Sequence, residues 1–206
     1  MSYNTSQMLI TYFITILGTE ALTTKVYTQN IMMFIFLFSV AIGQGTQIII
    51  ARQVGARQTE EAYKRCITSL KLAMTISISM AILFSFFSKP LFSIFTDNSE
   101  IISVGSTLIL LTIILEPGRA FNLVVINALR ATGDVKFPVY MGILSMWGIG
   151  VPIAYFLAVY LGIGLAGIWI AFIVDEWLRG LIMLWRWRSR IWENKLFSAK
   201  KLNMSS

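Results

Sequence analysis

Two groups of ionisable residues stand where an apolar chain should have none. Glu116 and Arg119 lie in LEPGRAFN, and Asp175, Glu176 and Arg179 lie in IVDEWLRG, each inside a long run of Ile, Leu, Phe and Val. A charge near the bilayer centre costs about 2.5 kcal/mol or more on insertion scales, so such residues are functional candidates. Arg179 is four residues after Asp175 and three after Glu176, so on a helix either acid reaches it. One carboxyl is then left over, able to hold a proton or a cation. Two readings stay open for the set: a buried network that locks two helices together, or a site on a transport path.

Pro117 and Gly118 separate Glu116 from Arg119. A proline inside a helix removes one backbone donor and disturbs the residue before it, and glycine adds local freedom. The pair predicts a helix break at this depth, tolerated where it packs on protein or lines water.

The elements that must position these groups are membrane helices. Of 206 residues, 56% are hydrophobic and 13% charged, against roughly 25% charged in a soluble domain. About 20 apolar residues cross the hydrocarbon core. Six stretches read as spans, at residues 8–22, 30–51, 67–88, 101–129, 139–160 and 164–185, followed by a basic tail at 191–206. The fold class is therefore an all-α integral membrane bundle. Residues 1–7 lack the positive segment of a cleaved leader, as expected where the first span directs insertion.

Basic residues are distributed unevenly. Arg52, Arg57, Lys64, Arg65, Arg130 and Lys136 fall in connections on one side, together with the basic residues from Arg186 to Lys201. The other side has Lys25 and Lys89. The positive-inside rule then predicts cytoplasmic termini in a plasma membrane. Lys71 is expected to snorkel to headgroups, and Glu20 to touch the outer interface. RQTEEAYKRC predicts a short interfacial helix, and Trp185, Trp187 and Trp192 among arginines predict lipid anchors. GQGTQ, Gly43 to Gln47, predicts close helix approach. Pro152 with Gly142, Gly148 and Gly150 predicts a kinked, closely packed fifth span.

Several chemistries are excluded. The chain has no histidine and one cysteine, Cys66, so neither a Cys/His zinc site nor a Ser-His pair can form. No phosphate-binding loop of the ATPase type is present, so the chain cannot drive transport by its own ATP hydrolysis. Asp97 and Asp134 fall in connections, which argues against an intramembrane aspartyl protease. No cofactor, metal or nucleic acid is expected.

Taken in order, AIGQGTQIIIARQVGA, AYKRC, LEPGRAFNLVVINALRATGD, KFPVYMGILSMWGIGVPIAY and GIWIAFIVDEWLRGLIMLWRWRSR resemble the multidrug and toxic compound extrusion (MATE) transporters over residues 3–190. The resemblance implies the C-terminal lobe of a twelve-span antiporter, which expels cationic or amphipathic compounds in exchange for protons or sodium. It implies an N-terminal six-helix lobe as partner, in the same reading frame or as a separate chain. Where better-studied branches carry a cation-binding carboxylate in the fourth helix of this lobe, alignment places Arg119, with Glu116 one turn earlier as the substitute. A lipid-linked precursor flippase and a non-transporting membrane module are the alternatives. One lobe alone is expected not to transport, and to leave its fourth span facing lipid unless a second lobe or a second copy covers it.

Overall fold

The computed structural model describes residues 2–193, with side chains from residue 4. Seven helices account for nearly all of it: α1 (Ser2–Ile16), α2 (Thr19–Gly55), α3 (Thr59–Phe86), α4 (Ser88–Ser93), α5 (Ser99–Ala131), α6 (Lys136–Tyr160) and α7 (Leu165–Arg188).

Four of them, α2, α3, α5 and α6, are long and apolar enough to cross a membrane. Helix α1 has only 15 residues. Helix α7 is long enough at 24 residues, but Asp175, Glu176 and Arg179 interrupt its apolar run.

The first two spans divide earlier than expected. Gly18, at φ 108°, turns the chain in a conformation that suits glycine, so α1 stops at Ile16 and α2 begins at Thr19. Ala21, Leu22 and Lys25 thus belong to α2 rather than to a first span and its connection. Lys25 is buried, not a loop residue at the surface.

RQTEEAYKRC forms no separate interfacial helix. Its Glu60 and Glu61 occupy the first turn of α3, where carboxylates favour the helix dipole. After α3 the chain makes the short α4, whose buried Phe92 lies where Gly105 of α5 has no side chain; a Cβ there would sit 2.2 Å from the ring. Asn98 caps α5 by accepting from the Glu100 and Ile101 amides, and donates its own amide to Glu20 at 3.0 Å.

Helix α5 is the centre of the bundle, packed by α2, α3, α4 and α7. Its Glu116–Gly118 segment is buried, while Leu110 and Ile114 stay exposed on its outer side. It does not break at Pro117: the helix is continuous from Ser99 to Ala131. Trp177 of α7 lies over Gly118, where a Cβ would be 2.7 Å from the indole. Its Nε1 donates to the Ile114 carbonyl at 2.9 Å. The neighbouring helix thus braces this turn from outside, at the carbonyl next to the one of Ile113 that Pro117 leaves without an amide donor. The irregular geometry sits in α6 instead, which widens into π turns at Met146–Gly150 and Phe156–Tyr160. The Val151 amide reaches back five residues to Met146 just before Pro152, which has no amide hydrogen to continue the ladder.

Gly43 meets its expectation of close approach, since a Cβ there would lie 2.7 Å from Asn127 of α5. Two of the three tryptophans at the end of α7 are not lipid anchors. Trp187 and Trp192 are fully buried and stacked at 4.6 Å, with Trp187 also stacked on Tyr63. Arg190 covers Tyr63 and pairs with Glu60 at 2.7 Å. Only Trp185 is exposed, as an anchor would be. Cys66 lies fully buried in the same packing.

Candidate functional site

The apolar interior divides into two cores. One takes Leu108 and Leu115 of α5 with Ile168 and Trp169 of α7, and the other takes Ala120 and Val124 of α5 with Met183 and Trp187 of α7. Residues 116–119 and 175–179 fall between them. The charged groups singled out in the sequence therefore form one polar layer at the waist of the bundle.

All five come together. Glu116 is fully buried, and its Oε1 accepts from Arg119 Nη1 at 2.7 Å. Arg119 Nε stands 4.0 Å from Glu176 Oε1, and its guanidinium lies 5.6 Å from the Phe36 ring centre. Arg179 Nη2 bridges Asp175 Oδ2 at 2.6 Å and Glu176 Oε1 at 3.2 Å. Glu176 is thus shared between two arginines on two helices. The i, i+3 and i, i+4 spacings place each acid on the same helical face as its partner.

Two further residues complete the layer. The Asn122 amide donates to Glu176 Oε2 at 2.8 Å, and the Ser145 hydroxyl donates to Asp175 Oδ1. Asn122 was legible in principle, one turn beyond Arg119 on the same face. Ser145 was not, since nothing in the sequence of α6 marks it. Gly150 of α6 also belongs here: a Cβ would touch the Asp175 carboxyl carbon at 3.6 Å. Pro117 and Gly118 contribute through Trp177 and not through a break.

Three carboxylates share two guanidiniums, so the layer has one more acid than base. The Glu116 Oε2 atom is buried with no hydrogen-bond partner, as are Asn122 Oδ1 and Arg179 Nε. A buried carboxylate oxygen without a donor is costly, and the arrangement can accept a proton or a cation there. Among the described residues, no three Asp, Glu, His or Cys side chains gather as a metal site would require.

The architecture and sequence together find a match in known proteins. A family model described as MatE matches residues 1–156. The chain belongs to the MatE family. Among its relatives, this MatE chain is 60% identical over 195 residues to the uncharacterized transporter YisQ of Bacillus subtilis, covering 95% of the chain and 43% of YisQ. It is 28% identical over 174 residues to a probable multidrug resistance protein NorM of Mannheimia succiniciproducens, covering 82% of the chain and 37% of NorM. Among solved structures, a Vibrio cholerae MATE transporter superposes with a TM-score of 0.86 at 20% identity, over 93% of the chain and 43% of its own length. That likeness shows the all-α fold of one lobe. The MatE chain spans about two fifths of the length of these relatives.

Proposed function

We propose that this chain is the C-terminal lobe of a secondary-active exporter, which exchanges small cationic or amphipathic compounds for protons or sodium. The observation that carries the reading is the buried, unpartnered Oε2 of Glu116 in a layer with one acid in excess. Binding of a cation at that oxygen changes the charge of the layer on which α5 and α7 are packed. Alternating access needs a second bundle rocking against this one, and the N-terminal six-helix lobe of the family supplies it. The names of the relatives, multidrug resistance proteins among them, support efflux. A flippase for lipid-linked precursors has less support, because Arg119 and Arg179 are both committed to carboxylates and not free for a diphosphate.

The test is dye efflux in a pump-deficient cell expressing the chain with a matching N-terminal lobe. Glu116→Gln is expected to lower efflux at least ~10-fold, equivalent to about 1.4 kcal/mol, while the membrane level of the protein is unchanged. Normal efflux by this variant would make the layer purely structural. Efflux from the chain expressed without the lobe would refute the half-transporter reading.

The orientation has its own test. With Cys66→Ala as background, Gln58→Cys in the α2–α3 turn is expected to react with an impermeant thiol reagent in inverted vesicles only. Lys89→Cys, exposed on α4, is expected to react from outside intact cells. The reverse pattern would invert the topology and overturn cytoplasmic termini. Cys66 cannot serve as the reporter, because it is buried.

A further inference from the structure

Lys25 is 8% exposed, on the face of α2 that meets α1, seven residues and about 10 Å beyond the Gly18 turn. Its Nζ donates to Thr11 Oγ1 at 2.8 Å. That hydroxyl spends its own proton on the Gln7 carbonyl at 2.8 Å, so Thr11 is a neutral acceptor that leaves the charge uncompensated. An ammonium carries three donors, and Thr11 takes one. No carboxylate pairs with Lys25 among the described residues. Glu20, the nearest acid along α2, instead accepts from Asn98. Asp175, Glu176 and Glu116 are occupied by Arg119 and Arg179 in the layer described above.

Beside Lys25 lies an open depression of about 410 Å³, lined by Asn4, Gln7, Met8, Thr11, Lys25 and Gln29. That volume is in the range of small-molecule sites. Its polar groups are a cation, one hydroxyl and three side-chain amides, with no acid among them, and Met8 gives an exposed apolar wall. A buried ammonium with one neutral partner is stabilised by a counter-charge brought to its open side.

We infer that this depression is an anion subsite, in which Lys25 receives a carboxylate or similar oxyanion carried on an apolar body, with Gln7, Asn4 and Gln29 able to donate around it. The occupant is the acidic end of a transported amphipathic compound or the phosphate of a lipid headgroup. The inference rests on reading the chain as a transporter lobe, and where the occupant is a transported compound it adds amphipathic compounds with an acidic end to the substrate class.

Equilibrium dialysis of naphthoate, and of its shape-matched cation naphthylmethylammonium, against the intact chain in phosphatidylcholine nanodiscs tests it. Naphthoate is expected to bind saturably and at least ~10-fold more tightly than the cation. Lys25→Met is expected to remove that preference, and Lys25→Arg to keep it, because arginine retains the charge. In nanodiscs containing phosphatidylglycerol, unchanged naphthoate affinity assigns the subsite to free compounds. Competition that vanishes in Lys25→Met assigns it to a lipid phosphate. Non-saturable binding, equal affinity for the cation, or naphthoate binding unaltered in Lys25→Met overturns the subsite. Loss of binding on addition of the N-terminal lobe also overturns it, since a carboxylate of that lobe would then be the partner of Lys25. Binding is read without efflux, so failure here leaves the Glu116 reading standing.

Discussion

Arg179→Leu is expected to destabilise the bundle by about 3–5 kcal/mol, the usual loss when one partner of a buried ion pair is removed. Arg179 Nη2 holds Asp175 at 2.6 Å and Glu176 at 3.2 Å, and all three side chains are largely buried. Without it, Asp175 keeps only the Ser145 hydroxyl. Glu176 keeps the Asn122 amide and an Arg119 guanidinium 4.0 Å away. Two acids are then left with too little positive charge in a medium that cannot solvate them. Chemical unfolding of the purified protein in detergent would measure the loss. The double variant Asp175→Asn, Arg179→Leu should recover at least ~1 kcal/mol, because the partners are coupled and one acid has been neutralised. A single-variant loss below about 1 kcal/mol would mean that water reaches the layer, as at an exposed pair.

The second large effect is steric. Gly167→Ala should cost about 2–3 kcal/mol, near the top of the range for overpacking. A Cβ at this position of α7 would lie 2.9 Å from both the Ala158 nitrogen and the Leu157 carbonyl carbon. Those are main-chain atoms of α6, in its second π turn, and no side-chain rotation can move them aside. The two helices must separate instead. Gly142→Ala on α6 is the control, since a Cβ there meets nothing within 4 Å. It should stabilise by about 0.5–1 kcal/mol, the ordinary gain from replacing a helical glycine. Opposite signs for two identical substitutions would confirm that close backbone approach decides the outcome. Equal signs would refute it.

How much of this was legible in the sequence depended on whether the signal was periodic or tertiary. The long apolar runs gave away α2, α3, α5 and α6, because length and composition suffice for a span. The charges in α5 and α7 were legible because they are expensive in such runs. Lys25 was misplaced because a lone basic residue near a polar stretch reads as a connection. Only the Gly18 turn, which brings Thr11 opposite it, shows it to be a buried helical residue. Pro117 misled in a similar way. A proline weakens its own helix, but the packing that holds this turn comes from Trp177, sixty residues later in the chain, which lies over Gly118 and donates to the Ile114 carbonyl. The burial of Trp187 and Trp192 likewise depends on Tyr63, which no local pattern announces.

The charges of α7 also bear on how the lobe is assembled. Asp175, Glu176 and Arg179 together would cost several kcal/mol if α7 entered lipid by itself. Their partners outside α7 are Arg119 and Asn122 on α5 and Ser145 on α6, all synthesised earlier. The last helix is therefore a poor independent passenger of the insertion machinery, and it partitions favourably only onto a docking face that α5 and α6 have already made. Biogenesis acquires an order from this. The central helix is then expected to stay beside the translocation channel until the final one emerges, with the polar layer closing last.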